Sequence, residues 1–240
     1  MSSEVLAPGT LDGMRVVVTG TSTGIGRAIA ARIVALGGHV HGLDVASATI
    51  AHPCFEGVAV DLMHGDAVAA TARTLTRADG LVHAAGMLHA APLGGLDADA
   101  GERMWRVHVD AAVRLADVLV PAMAGRGRGR VVFVGSRVAQ GMPGRSLYAA
   151  VKAAQIALAR SWASEVVARG VTVNVVSPAA TATAMLDDPG RVSSAPRVPP
   201  LGRYIAPPEV AEVVAFLLSP AAAAITGQNL PICGGASLRT

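Results

Sequence analysis

Apolar residues follow two spacings along the chain. Short β-branched runs such as 15–20 (RVVVTG) are continuously apolar and stop at a glycine, which is typical of strands buried on both faces. Longer alanine-rich segments such as 26–38 repeat their apolar residues at helical spacing and end at two glycines. The pattern predicts strands over 15–20, 39–44, 57–62, within 78–86, and over 130–136, 171–179 and 227–235, and helices over 26–38, 99–123, 146–168 and 207–219.

The fold class follows from this order of elements. Strands that alternate with helices and are apolar throughout predict a parallel sheet covered by helices on both faces. The 240 residues fit one such unit, and no repeat or change of composition marks a boundary. We therefore expect one doubly wound α/β domain of about seven strands over 1–240, with 184–206, rich in Pro, Gly, Ser and Arg, as a flexible excursion.

Composition excludes several classes of protein. Hydrophobic residues make up 52% of the chain and aromatic residues 3%, which predicts an ordered core of Ala, Val, Leu and Ile. The net charge is +3, and the densest basic run, Arg126–Arg130, has no aromatic neighbour, which argues against a nucleic-acid surface. Cys54 and Cys233 suit neither a disulfide framework nor a metal site. No signal peptide or long apolar stretch is evident, so we expect a cytoplasmic protein with no membrane partner.

A glycine-rich turn follows the first predicted strand and opens the first helix. In VVVTGTSTGIGRAIA the glycines stand at 20, 24 and 26. Such a turn can bring backbone N–H groups and the helix N-terminus close to a pyrophosphate, and neighbouring hydroxyl groups add donors. We expect a dinucleotide here, contacted by Gly20, Thr21, Ser22, Thr23, Gly24, Ile25 and Gly26.

Two acidic residues follow the next strands. Asp44 ends the second strand, where a carboxylate can accept from both ribose hydroxyls of an adenosine and would repel a 2′-phosphate. No arginine follows Asp44 closely, so the pattern predicts NAD rather than NADP. Asp61 can reach an adenine edge beside Leu62, or it can cap a helix N-terminus.

Lys152 is the only lysine among the 20 lysines and arginines of the chain. Tyr148 stands four positions earlier, so both side chains project from one face of the predicted helix. Free tyrosine titrates near pH 10, and an adjacent ammonium favours the phenolate, which lowers the tyrosine pKa. The pair therefore predicts a tyrosine acid/base, with lysine preferred to arginine because a compact ammonium can also donate to a ribose hydroxyl.

Taken together, TGTSTGIG (19–26), HAAG (83–86), YAAVK (148–152), NVVSPAATAT (174–183) and ITGQNLPICGG (225–235) resemble the motifs of the short-chain dehydrogenase/reductase family over essentially the whole chain. The resemblance implies a Rossmann-like fold and hydride transfer between the nicotinamide and a substrate carbon. It implies that Tyr148 exchanges a proton with the substrate oxygen, and that Lys152 binds the nicotinamide ribose and lowers the pKa of Tyr148. Both residues are therefore expected to contact the cofactor. It also implies a serine that binds the substrate oxygen; the usual position falls on Gly135, so Ser136 is the candidate.

The chain departs from the family pattern at two histidines. His83 and Ala84 replace two asparagines that help hold the strand and the adenosine region, and the resemblance still places Ala84, Ala85 and Gly86 against the cofactor. His108 stands where the family has an asparagine that helps hold a water between the lysine and solvent. His108 could hold this water, could titrate itself as a catalytic group, or could be a packed core histidine.

After the sixth strand, the resemblance places a segment along the nicotinamide, with contacts from Pro178, Ala179, Thr181 and Thr183. The excursion 184–206 would then be a substrate lid. Its side chains are mixed and select no single substrate: Met185, Leu186, Arg191, Val192, Arg197, Val198, Leu201 and Arg203. The resemblance also implies a homodimer or homotetramer paired through the helices over 99–123 and 146–168.

The leading functional hypothesis is an NAD-dependent oxidoreductase acting on a small secondary alcohol or ketone, with no metal. An alternative is a 3-oxoacyl-thioester (acyl carrier protein) reductase, whose acidic carrier could meet Arg126–Arg130 and Arg169. Asp44 argues against this alternative, because such reductases usually take NADPH. A third hypothesis is a non-catalytic nucleotide-binding scaffold, which would have no need to keep Tyr148 and Lys152.

Overall fold

A computed structural model describes residues 6–187 and 195–238. Its strands are β1 (Arg15–Thr19), β2 (His39–Asp44), β3 (Phe55–Ala59), β4 (Gly80–His83), β5 (Gly129–Val134), β6 (Val171–Pro178) and β7 (Asn229–Ile232). Within the described residues they form one seven-stranded sheet in the order β3-β2-β1-β4-β5-β6-β7, with every neighbouring pair parallel. The predicted parallel α/β fold is confirmed.

The α-helices lie between these strands and cover both faces of the sheet: α1 (Gly24–Ala35), α2 (Gly65–Thr74), α3 (Ala98–Trp105), α4 (Ala111–Gly125), α5 (Ser146–Val166) and α6 (Pro207–Leu218). A π-helical segment, Arg106–Asp110, joins α3 to α4. The single helix predicted over 99–123 is therefore three consecutive pieces.

Strand β1 shows how the sheet divides the core into two layers. Val17 belongs to the cluster shared with α4 and α5, whereas Val16 and Val18 belong to the cluster shared with α1 and α6. Successive strand residues point to opposite faces, so a run of valines serves both layers.

The structure differs from the predicted pattern in two further places. The third strand, expected over 57–62, lies at Phe55–Ala59, because its register is set by pairing with β2, where Val40 is opposite Phe55. Helix α2 was not predicted. It has ten residues and buries only Val68 and Ala72, which is too short an apolar stripe to be recognised by periodicity.

The order of strands places a crevice at the carboxyl end of β1. Strand β1 lies between β2 and β4, so the chain moves outward to β3 and then crosses back to the other side of β1. The connections after β1 and β4 leave in opposite directions at this point, which is where doubly wound sheets bind their ligands.

Within the described residues, no helix is long and apolar enough to cross a membrane. The same part of the chain contains no group of three or more His, Cys, Asp or Glu side chains arranged to hold a metal ion.

Candidate active site

A cleft of about 540 Å³ opens at the carboxyl ends of β1, β2 and β4. This volume lies within the range of ~300–1,000 Å³ that is usual for small-molecule and cofactor sites. Most of the residues predicted to contact a dinucleotide line it: Gly20, Thr23, Gly24, Ile25, Gly26, Asp44, Asp61, Leu62, Ala84, Ala85, Gly86 and Thr183. The remaining predicted contacts are outside its lining: Thr21, Ser22, Tyr148, Lys152, Pro178, Ala179 and Thr181.

The glycine turn is packed too closely to hold side chains. A Cβ on Gly26 would lie 2.1 Å from the carbonyl oxygen of Gly20. Gly20 has a φ of +76°, and a Cβ there would lie 2.8 Å from the Cα of Ala85. Gly24 faces the methyl group of Thr183, which would be 3.3 Å from an added Cβ. The cleft therefore has a floor of bare backbone between β1, α1 and the end of β4.

The hydroxyl groups beside this turn have different roles. The Ser22 hydroxyl lies 3.1 Å from the carbonyl oxygens of both Ala46 and Ser47, so it holds the loop after β2. Thr21 is buried, with 2% of its surface exposed. Of the three hydroxyl residues predicted to bind a dinucleotide, Thr23 is the one that lines the cleft.

The Asp44 carboxylate is fixed at the cleft by backbone donors. The N–H of Ser22 donates to Oδ2 at 2.9 Å, and the N–H of Ala46 donates to Oδ1 at 3.0 Å. Each carboxylate oxygen has a second lone pair, so the group can still accept from ribose hydroxyls.

Asp61 also lines the cleft, but it does not cap a helix. The N–H of Met63 donates to its Oδ1 at 2.9 Å, which closes a tight turn, and His64 is the residue at the N-cap of α2. The capping alternative for Asp61 is therefore wrong, and the side chain stands beside Leu62 in the cleft wall.

Arg27 lies near this end of the cleft and was not predicted. It is exposed on the first turn of α1, and its Nε donates to Thr49 Oγ1 at 3.1 Å. The Thr49 hydroxyl in turn donates to the Ser22 carbonyl at 2.9 Å. The prediction of NAD rests on the absence of an arginine just after Asp44, whereas Arg27 reaches the loop after β2 from the preceding helix.

His83 links the end of β4 to β1 and to the π-helical segment. Its Nε2 lies 3.1 Å from the carbonyl oxygen of Val107, which can only accept, so Nε2 carries the proton and Nδ1 accepts from the Thr19 hydroxyl at 3.1 Å. The backbone N–H groups of Ala84 and Ala85 both donate to Thr19 Oγ1 at 3.0 Å. Burial lowers the pKa of His83 to about 3, so the ring is neutral at pH 7. The histidine thus holds the backbone that lines the cleft.

His108 lies in the π-helical segment with 0% of its surface exposed. Its Nε2 lies 2.8 Å from the carbonyl oxygen of Met87 and 3.1 Å from the backbone nitrogen of Met87, so both backbone groups of Met87 meet the same ring nitrogen. Among the described residues, Nδ1 has no hydrogen-bond partner. Burial holds the pKa of His108 well below its ordinary value. A Cβ on Gly86 would lie 2.4 Å from the His108 ring. These contacts favour the packed histidine, and a catalytic role for His108 stays a prediction.

Tyr148 and Lys152 lie together on the buried face of α5. The Lys152 Nζ is 5.7 Å from the centroid of the Tyr148 ring, and the His108 ring meets Tyr148 edge-on with 5.6 Å between centroids. Nζ donates to the carbonyl oxygen of Val134 at 2.7 Å and to Gln155 Oε1 at 3.2 Å. Burial lowers the pKa of Lys152 to about 7. Gln155 was not predicted as a site residue, and it is a polar residue on the buried face of α5.

Ser136 is the serine that the loop after β5 makes available. Its hydroxyl oxygen accepts from the N–H of Val138 at 3.2 Å, which leaves the hydroxyl proton free to be donated. A Cβ on Gly135 would lie 2.6 Å from Val175 Cγ1, so a serine at the usual position would press against side chains of β6. Val138 packs in one buried cluster with Tyr148, which brings the turn after Ser136 against the start of α5.

The segment after β6 is held by backbone pairing. The Ala179 N–H donates to a carbonyl of β7 at 3.0 Å, one residue beyond Pro178. Thr181 is buried, and its hydroxyl donates to the Ala179 carbonyl at 3.0 Å. Of the predicted contacts in this segment, Thr183 is the one that lines the cleft.

The predicted lid is described in part. Arg191 and Val192 lie outside the described residues. Met185 is in a short 3₁₀ turn and lines the cleft. At the other end, Arg203 donates to the Glu209 carboxylate at 2.7 Å, so its charge is engaged with the start of α6.

The wall beside Tyr148 is apolar and contains several methionines. Met104 shares a buried cluster with Tyr148, and Met87, Met142 and Met185 pack against this cluster. Met87 and Met185 also line the cleft, so the cluster connects the tyrosine to it. Methionine side chains adapt to differently shaped apolar groups.

The whole chain is similar to known oxidoreductases. A family model described as enoyl-(acyl carrier protein) reductase matches residues 20–237. The chain is 36% identical over 239 residues to a 3-oxoacyl-[acyl-carrier-protein] reductase of Vibrio harveyi, covering 94% of this chain and 98% of the relative. A solved short chain dehydrogenase/reductase family protein has a TM-score of 0.85 at 34% identity, covering 95% of this chain and 100% of that one. A Beutenbergia cavernae protein described as an NAD(P)-dependent gluconate 5-dehydrogenase, with NADP bound at low occupancy, has a TM-score of 0.86 at 32% identity, covering 96% of this chain and 99% of that one.

Proposed function

The chain belongs to the short-chain dehydrogenase/reductase family and is an oxidoreductase that uses a nicotinamide cofactor, and we propose that it moves a hydride between that cofactor and a small secondary alcohol or ketone. The observation that carries this proposal is the buried pair of Tyr148 and Lys152, with ring centroid and ammonium 5.7 Å apart, connected by apolar packing to the cleft. A phenol beside a buried ammonium can exchange a proton with a carbonyl oxygen.

The residues of the cleft fit a dinucleotide. Gly24 and Gly26 leave backbone bare where α1 begins, so the helix N-terminus is open to a pyrophosphate. Asp44 has acceptor capacity left for ribose hydroxyls. When bound, the nicotinamide supplies or accepts the hydride, and the chain supplies binding, orientation and the proton.

We assign the proton transfer to Tyr148. In the reducing direction its hydroxyl gives a proton to the substrate oxygen as the adjacent carbon takes up the hydride, and in the oxidising direction both transfers reverse. The Ser136 hydroxyl donates to the same oxygen and orients it. Lys152 stabilises the phenolate, and one of its three N–H groups is left for a ribose hydroxyl because Val134 and Gln155 take the other two.

For the cofactor we propose NAD, because the Asp44 carboxylate would repel a 2′-phosphate. Arg27 and the NADP held by the similar Beutenbergia cavernae protein favour NADP instead. Asp44 lines the cleft directly, whereas Arg27 is engaged with Thr49, and this difference supports NAD.

A second candidate function is the reduction of a 3-oxoacyl thioester. The similarity to the Vibrio harveyi reductase favours it, and the methionine-containing wall beside Tyr148 would suit an acyl chain. The two functions differ in substrate and share the assignments of Tyr148, Lys152 and Ser136.

We also propose that the chain forms a homodimer or homotetramer through α4 and α5. The family resemblance supports this assembly. Light scattering coupled to size-exclusion chromatography measures it directly, and a monomer at micromolar concentration would contradict it.

A turnover screen tests the proposed function. Secondary alcohols are offered with NAD and NADP, and ketones, including acetoacetyl thioesters, are offered with NADH and NADPH. We expect turnover of a small alcohol–ketone pair with NAD(H) preferred. Preference for the acetoacetyl thioester with NADPH would establish the second candidate instead. Absence of turnover with every pair would contradict both.

A further inference from the structure

Gln155 is a polar residue on the buried face of α5, with 0% of its surface exposed. It follows Lys152 by three positions, so both side chains leave the same side of the helix. Its Oε1 accepts from Lys152 Nζ at 3.2 Å, and its Nε2 donates to the carbonyl oxygen of His108 at 2.8 Å. An ammonium can only donate and a carbonyl can only accept, so these partners determine which way the amide is oriented.

The His108 carbonyl belongs to the π-helical segment. A π turn shifts the helical hydrogen bonds by one residue. Gln155 donates to the His108 carbonyl, and His83 donates to the Val107 carbonyl. The amide therefore connects Lys152 to the segment that lies behind Gly86 and the cleft.

The Lys152 ammonium is held by two uncharged acceptors on different elements. The Val134 carbonyl, at the end of β5, lies 2.7 Å from Nζ, and Gln155 lies on α5 itself. Two fixed acceptors set the direction of the third proton. Loss of the amide would leave an ammonium proton and the His108 carbonyl without these partners.

We propose that Gln155 is a positioning residue of the site, whose amide holds the Lys152 ammonium in one orientation and anchors it to the carbonyl of His108. The effect of Gln155 on catalysis rests on the proposed function, because Lys152 acts there beside Tyr148. Its effect on the ammonium does not depend on that function.

The titratable groups that face Lys152 come from three elements. Tyr148 lies on α5, His108 on the π-helical segment and His83 at the end of β4. The pKa of both histidines is lowered, mainly by burial and also by the charge of Lys152. Both rings are therefore neutral. Burial disfavours the charged form of Lys152, and the two acceptors of Nζ favour it. An apolar residue at 155 should lower the Lys152 pKa below about 7, and a carboxylate should raise it.

The only lysine of the chain can be titrated in isolation. In protein labelled with carbon-13 at the lysine ε carbon, one NMR signal reports the protonation of Lys152 without any turnover. The unmodified protein is compared with Gln155→Met and Gln155→Glu. Gln228→Glu is the matched control, because Gln228 is exposed just before β7.

We expect the titration midpoint to fall by about one pH unit or more in Gln155→Met, to rise by a similar amount in Gln155→Glu, and to stay unchanged in the control. The alkaline fall of kcat, where the ammonium loses its proton, should move in the same two directions. Midpoints that stay in place, or that move the same way in both variants, would overturn the inference.

If Gln155→Met does not fold, Gln155→Glu decides alone: an upward shift supports the inference and an unchanged midpoint overturns it. Midpoints that move as expected in a protein that turns over no substrate would support the inference and overturn the proposed function.

Discussion

The two ends of the site are formed by different kinds of groups, mainly backbone at one end and buried side chains at the other. At the adenosine end, the cleft is formed by bare backbone around Gly20, Gly24 and Gly26 and by carboxylates, of which Asp44 is held by two backbone N–H groups. At the tyrosine end, Lys152 is buried, donates to the backbone carbonyl of Val134 on β5, and is connected through Gln155 to the π-helical segment. The first end depends on local chain geometry, whereas the second depends on contacts between residues far apart in the sequence.

This difference determines how each end responds to substitution. A backbone site tolerates changes of side chain except where a Cβ has no room, and we expect its choice between NAD and NADP to depend on the Asp44 carboxylate. In a buried network each group is held by specific partners, so a change that conserves charge can still remove its function. The largest losses of activity are therefore expected for substitutions at the tyrosine end.

Lys152→Arg should abolish most activity while the protein stays folded. The guanidinium is larger than the ammonium and aims its donors differently, and the space between Val134 and Gln155 leaves the lysine 4% exposed. We expect kcat/KM to fall by about 10²–10⁴-fold, the range associated with positioned proton transfer. Steady-state kinetics and circular dichroism measure the two properties. Arg169→Lys, an exposed exchange of the same two residue types, should change neither, and full activity of Lys152→Arg would show that the buried network is dispensable.

Asp44→Ala tests the adenosine end, where the expected fall in kcat/KM is smaller than for Lys152→Arg. Loss of the carboxylate removes acceptors for the ribose hydroxyls and the repulsion of a 2′-phosphate. We expect kcat/KM with NAD to fall by about tenfold or more, as for a lost hydrogen bond to a charged group, and the preference to shift toward NADP. Arg27→Ala in the same background should reverse part of the gain with NADP. An unmodified protein that uses both cofactors equally would contradict the role given to Asp44.

His83→Asn tests the link between the two ends. Of the three substitutions, it should have the smallest effect on activity, and its main effect should be on the acid dependence of stability. The unfolded chain binds a proton at this residue near pH 6.5, whereas the folded chain does not until about pH 3. The free energy of unfolding should therefore fall as the pH drops from about 6.5 toward 3, by at most about 1.4 kcal/mol per pH unit for one group. His83→Asn should flatten this acid dependence in urea unfolding. His64→Asn, at a side chain that is 74% exposed, should leave it as it is. An identical slope in His83→Asn would mean that His83 is not buried as a neutral ring.

The sequence predicts the adenosine end well for a physical reason. A glycine is required where backbone meets backbone, and the strand–turn–helix context is local, so the turn can be recognised without knowing the fold. The parallel sheet and the family were predicted and are confirmed. Tyr148 and Lys152 could also be found, because their spacing of four on a helix is local.

The partners of the buried groups could not be found in this way. Gln155 meets His108, and His83 meets Val107, only after β4, α5 and the π-helical segment have packed together. No glycine or proline marks the π-helical segment, so its carbonyls gave no signal in the sequence. Arg27 was missed because it approaches the Asp44 loop from a different element.

Tyr148→Phe tests the central claim most directly. The substitution removes one hydroxyl from a ring that is 8% exposed and leaves the packing around it unchanged. Hydride transfer is measured with the best substrate and cofactor from the turnover screen, and cofactor binding is measured by calorimetry on the same samples. We predict that kcat falls as far as in Lys152→Arg while the Kd for the cofactor stays within about twofold. A Tyr148→Phe variant that transfers hydride at the rate of the unmodified protein would contradict the account.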